Sequence, residues 1–121
     1  MNTEKAELFT PAPEWSGRSD GPGPEHARWH SVINQSTESP APVTLLGFAS
    51  DEGVLRNGGR QGAAAGPAAL RSALGSLAVH HGHALADAGT ITTQADDLDG
   101  AHDALSNKVQ ELVEAGTLPI V

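Results

Sequence analysis

Twice along this chain a short apolar run gives way to a polar stretch and then to a helical repeat. Val43, Thr44, Leu45 and Leu46 form a nearly continuous run between Pro42 and Gly47. Such a run predicts a strand covered on both faces, as in a parallel sheet. After Phe48 and Ala49 the chain turns polar, with Asp51, Glu52, Arg56, Asn57 and Arg60 set among glycines 53, 58, 59 and 62. Gly66-Pro67 then opens a helix, since proline at the first position gives up no helical bond. Leu70, Ala73, Leu74 and Leu77 follow at helical spacing, so one face is apolar. The cycle repeats with Ala84–Gly89 as a second strand and residues 90–97 as a connection with room for a short strand. A second helix runs from Asp99 to about Ala115, with Ala101, Leu105, Val109, Leu112 and Val113 on one side and Gly116 to end it. Thr117–Val121 reads as the start of a third buried strand. Strand, helix, strand, helix, strand is the signature of successive right-handed crossovers, so the fold class is α/β with a mostly parallel sheet.

Residues 1–42 break this order. Prolines 11, 13, 22, 24, 40 and 42 oppose regular helix or central strand, and the reading is an irregular amino-terminal arm before an α/β unit over 43–121. Two features of the arm rise above linker composition: Trp15-Ser16-Gly17-Arg18 with Asp20, and Arg28-Trp29-His30. Tryptophans anchor packed contacts, so the plain reading is that they pin the arm to the following domain or a neighbouring subunit. The sharper one brings Arg18 and Asp20 to a pocket. Three strands and two helices make a thin core for so alanine-rich a chain. A final strand with nothing beyond it suggests a truncated protein.

Composition narrows the function classes. The chain has 121 residues, enough for one modest domain, and a net charge of -8 at pH 7. No basic field exists to neutralise phosphates, which argues against broad nucleic-acid or acidic-membrane binding. Absence of cysteine removes disulfides and thiolate metal sites and fits a cytoplasmic protein. No run approaches membrane-spanning length, and the first residues lack a secretory pattern.

The glycine-rich loop invites a phosphate-site reading but fails it. A dinucleotide fingerprint needs G-x-G-x-x-G directly between strand and helix, and a Walker loop needs G-K-[ST] where Gly66-Pro67-Ala68 stands. What remains is a polar loop leaving the carboxyl end of a parallel strand, the place where open α/β sheets put ligands. Arg60 or Arg56 can clamp a carboxylate with two parallel hydrogen bonds, and Asn57 can donate or accept beside it. Equally, Asp51 or Glu52 can pair with Arg60 merely to hold the loop, and Arg71 on the following helix suits a structural salt bridge or carbonyl contact. His81-x-His83 would share a face only on a strand, and it sits on a polar connection. Asp96, Asp97 and Asp99, with His102, fall at a helix start, where unpaired amides and the dipole explain carboxylates without a metal. No Ser-His-Asp or paired-carboxylate arrangement is present, so the residues themselves define no catalytic centre and no metal site.

The same stretch resembles a known family. Gly47-Phe48, Asp51 to Val54, Arg56-Asn57, Gly59 to Ala63 and Gly66 to Arg71 match the first strand–loop–helix of the formimidoylglutamase branch of the arginase, agmatinase and ureohydrolase superfamily. The Trp15–Asp20 and Arg28–His30 motifs and the Asp87-Ala88-Gly89 triplet look like it too. Departures are Gly58, where many relatives carry a basic residue, and Thr90, where they often carry a further aspartate. The resemblance implies a three-layer α/β/α fold of which this chain holds about the first three strands and two helices. It implies hydrolysis of a carbon–nitrogen bond in a linear amidine, N-formimidoyl-L-glutamate, within histidine degradation, using two Mn2+ ions and a homo-oligomeric assembly. The family's metal ligands lie in segments downstream of the third strand, so this segment alone is expected to be inactive. Arg60 and Asn57 are then the candidate substrate contacts, with Asp51, Glu52, Arg56 and Arg71 shaping the loop. Agmatinase or guanidinobutyrase chemistry, and a non-catalytic α/β interaction module, are the alternatives.

Overall fold

A computed structural model describes residues 8–35, 41–80 and 82–121. Val43–Ala49 forms the central strand, β2, and Leu85–Thr92 forms β3 beside it. Leu118–Ile120 forms β4 on the other side of β2, and the two-residue β1, Phe9–Thr10, lies outside β3. The sheet order is β1-β3-β2-β4, with β2, β3 and β4 parallel and β1 antiparallel to β3. The crossovers are α3, Gly66–Gly75, between β2 and β3, and α4, Leu98–Glu114, between β3 and β4. Among the described residues there are also two short α-helices, α1, Trp29–Val32, in the arm, and α2, Glu52–Arg56, inside the polar loop, with single 3-10 turns at Pro24–His26 and Ala63–Ala65.

Alternation along the strands explains the three layers. Leu46, Ala88 and Ile91 turn to one face and meet Leu112, with Leu105 and Val109 of α4 packed around them. On the opposite face α3 crosses, so close that a Cβ on Gly47 would sit 3.0 Å from Pro67. Thr44 and Thr117, both buried, share a hydroxyl–hydroxyl hydrogen bond of 2.7 Å that joins β2 to the start of β4. The apolar face foreseen on α3 is largely open in this chain: Leu70 is 63% exposed, and with Leu74, Phe48 and Ile120 it borders an apolar groove.

Two expectations about extent need correction. The first strand does not stop near Leu46 but continues to Ala49, because Gly47 accommodates the closely packed helix rather than ending the ladder. The second does not stop at Gly89 either. Pairing passes from Leu45↔Asp87 to Gly47↔Thr90, so β3 carries one residue more than β2 across this interval. That is a β-bulge, and it shifts the alternation. Ala88 and Ile91 thereby face α4, while Asp87 and Thr90 face α3. Gly89 adopts φ +110, and a Cβ there would lie 2.5 Å from the Thr10 carbonyl of β1. Only glycine suits the position.

The arm is built onto this unit. Besides β1, Asn34 bridges to Ala86 and Arg28 to Ala78. No helix among the described residues is long and apolar enough to cross a membrane.

Candidate functional site

The polar loop leaves β2 at the carboxyl end of the parallel strands and is tied down by its own acids. Asp51 Oδ1 accepts from the amides of Gly62, at 3.0 Å, and Ala64, at 2.9 Å, which folds the far end of the loop back to its start. These amides, Ala64 foremost, hold the Asp51 carboxyl below its ordinary range. Glu52 accepts from Arg56 Nε at 3.0 Å, one helical turn along α2. Arg56 also donates to the Asp96 carbonyl at 2.9 Å, and so links this loop to the one that follows β3. Gly58, at φ +70, turns the chain at the end of α2, a conformation a basic residue there would adopt only with strain.

Asn57 and Arg60 lie on the exposed part of this loop. Neither side chain has a hydrogen bond or ion pair among the described residues, so their donors are uncommitted. Glu52 pairs with Arg56 rather than with Arg60. The loop therefore presents a free guanidinium and a free amide on an anchored backbone.

Arg71 occupies a different place. Its Nε donates to Asp87 Oδ2 at 2.8 Å and one terminal nitrogen to Oδ1 at 2.9 Å, a bidentate grip on a carboxylate with no exposed surface. The same guanidinium donates to the Gly89 carbonyl at 2.8 Å and to Thr90 Oγ1 at 2.6 Å. Asp87 takes two more donors, Trp15 Nε1 at 2.8 Å and the Gly89 amide at 2.9 Å. A buried charge is tolerated only when paired and hydrogen-bonded, and here every lone-pair direction has use. Sequence reasoning noticed the Asp87 triplet by resemblance alone. The available signal was physical: an aspartate inside an alanine-lined strand requires a cation, and Arg71 is the arginine on the crossover helix.

The two arm motifs meet at the opposite end of α3. Asp20 accepts from Arg18 Nε at 2.9 Å and from Arg28 at 2.6 Å, and these bonds, Arg28 first, hold its carboxyl below the usual range. Arg28 also donates to the Ser76 carbonyl, at the end of α3 where a cation suits the helix dipole. Ser16 lies against Gly75, where any side chain would collide with its carbonyl. Trp15 thus pins the arm to the domain, and Arg18 and Asp20 join a latch rather than line a cavity.

The remaining candidates disperse. Asp97 Oδ1 accepts from the Gly100 amide at 2.9 Å and caps α4. Asp96 supplies only its carbonyl to Arg56, and His102 lies against Phe48. His83 is engaged elsewhere, and His81 lies outside the described residues. Among the described residues no three His, Cys, Asp or Glu side chains are grouped to hold a metal.

Comparison with known proteins agrees with this architecture. The arginase family model matches residues 41–121. The chain is 49% identical over 110 residues to a formimidoylglutamase of Corynebacterium efficiens, covering 88% of this chain and 35% of that protein. It is 45% identical over 113 residues to one from Nocardia farcinica, covering 92% and 36%. For one from Rhodococcus opacus the identity is 42% over 116 residues, covering 94% and 36%. The chain thus spans about a third of the length of these curated relatives. Parallel strands joined by crossover helices, the loop after the first of them, and this match over the whole α/β unit have one reading: the chain belongs to the arginase family.

Proposed function

We propose that this chain is the amino-terminal segment of a formimidoylglutamase, an enzyme that hydrolyses N-formimidoyl-L-glutamate to L-glutamate and formamide. The observation that carries the reading is identity of 42 to 49% with formimidoylglutamases across 88 to 94% of the chain. In this proposal residues 1–42 are an arm and 43–121 the first part of the catalytic α/β domain, in a cytoplasmic homo-oligomer.

The family implies two Mn2+ ions, which when bound would act as Lewis acids on an amidine and activate water. The described residues do not fit as their ligands. Asp87 is fully taken by Arg71, Trp15 and its own strand, and Asp97 by a helix cap. No step is therefore assigned to a metal held by this segment.

Its own contribution is to the substrate. Arg60 can take a glutamyl carboxylate through two parallel hydrogen bonds, with Asn57 donating beside it. Because Asp51 and Arg56 already hold the backbone, little ordering remains to be done on binding. In the same proposal Asp51, Glu52, Arg56 and Arg71 are structural. The test is hydrolysis of N-formimidoyl-L-glutamate, against agmatine and 4-guanidinobutyrate, by the protein carrying this segment with manganese. Preference for the formimidoyl substrate is expected, and Arg60→Ala should lower kcat/KM mainly through KM. Preference for a guanidine would overturn the substrate, and an unchanged kcat/KM would remove Arg60 from the site.

A further inference from the structure

Arg71 spends its donors on both sides of the extra residue in β3. Ahead of the bulge it grips both oxygens of Asp87, and beyond it the Gly89 carbonyl and the Thr90 hydroxyl. A simple ion pair would need only the first half of that set. The second half fixes where the strand resumes. A slip of one residue would exchange the faces of everything that follows and carry Ile91 out of the cluster it forms with Leu46, Ala88 and Leu112. It would also redirect the segment after Thr92. That segment matters because the Asp96 carbonyl is the anchor to which Arg56 ties the preceding loop.

We propose that Arg71 is a positioning residue: by clamping the bulge at Asp87–Thr90 it sets the exit of β3 and, through the Asp96–Arg56 bond, the placement of the loop bearing Asn57 and Arg60. Arg71 touches neither residue directly, and its effect passes along β3. The kinetic side of this inference rests on the formimidoylglutamase reading, whereas the structural side does not.

Two substitutions test it, Arg71→Lys and the milder Thr90→Val, which keeps the shape but removes one acceptor. Amide hydrogen exchange in this chain is the first measurement. Faster exchange confined to residues 89–97 and 52–62, with Leu46 and Leu112 unaltered, is expected for positioning. Uniform acceleration, or none, in Thr90→Val would overturn it. The second measurement is KM against kcat for N-formimidoyl-L-glutamate in the protein carrying this segment. A rise in KM of about five- to tenfold with kcat nearly constant is expected; unchanged KM beside locally faster exchange overturns the link to the loop. Should the unsubstituted protein not hydrolyse that substrate, the activity reading falls, and the exchange pattern alone decides whether Arg71 positions the strand.

Discussion

Replacing Trp15 with phenylalanine tests how the arm is held. Trp15 is 9% exposed, and its Nε1 donates to Asp87 Oδ2 at 2.8 Å, the oxygen that also receives Arg71 Nε. A hydrogen bond to a charged group contributes about 1.5–3 kcal/mol. Arg71 stays on that oxygen, so Asp87 is not orphaned and the lower end applies, about 1.5 kcal/mol. The smaller ring leaves a void beside Ser16 and Arg71, costing roughly 1–2 kcal/mol more. Together these remove about 3 kcal/mol, a large part of the 5–15 kcal/mol typical of a domain. With a urea slope of about 1–3 kcal/mol per molar, the unfolding midpoint should fall by about 1–3 M. The remaining tryptophan, Trp29, reports the transition by fluorescence. A fall below about 0.3 M would refute the reasoning and mean that the arm contributes little through Trp15.

Other substitutions probe separate contacts. Gly89→Ala should destabilise the chain by at least about 2–3 kcal/mol, since it adds left-handed strain and a collision with β1; urea unfolding measures it. Thr44→Val should cost about 1–3 kcal/mol by leaving the Thr117 hydroxyl buried and alone, whereas Thr44→Val with Thr117→Val should be nearly neutral, a pattern that a double-mutant cycle reads directly. Acid should loosen the arm latch and the loop together. Asp20 and Asp51 both have lowered pKa values in the fold, so their stabilisation is complete above the unfolded aspartate value, about 4, and is lost as pH falls through the lower folded values. Amide exchange at Gly62 and Ala64 should accelerate over that acid window relative to the core, and Asp51→Asn should abolish the pH dependence there.

The α/β class, the three parallel strands and both crossover helices were legible because each rests on a local rule. Val43–Leu46 is continuous and β-rich, Pro67 sits at a helix start, and Leu105, Val109 and Leu112 repeat at helical spacing. What escaped was non-local. The strand after Ala84 loses its alternation at Ala88 and Gly89, which reads as an end when pairing is unseen, yet is a bulge once β2 lies beside it. Helix α2 and the short strand β1 are too brief to leave a period. Asp51 was visible as a charge, but its partners are the backbone amides of Gly62 and Ala64, and no spacing announces an amide.

The two ends of α3 differ in how far their polar side chains are committed to partners. At its carboxyl end Arg28 reaches the Ser76 carbonyl, Asp20 neutralises it, and Gly75 admits the arm backbone, so both tryptophan-bearing motifs are consumed by packing. At its amino end Gly66-Pro67 follows a loop whose acids are likewise consumed, by amides and by Arg56, while Asn57 and Arg60 are not. Side chains with filled hydrogen-bonding capacity have nothing left for a ligand, and an uncommitted cation on a fixed backbone has. Open α/β sheets take their ligands at the carboxyl ends of the strands, and at that end the Asn57 and Arg60 side chains have no partner among the described residues. The arm motifs look no less chemical in sequence than the loop does. Their position on the sheet, rather than their residue types, is what assigns them to stability.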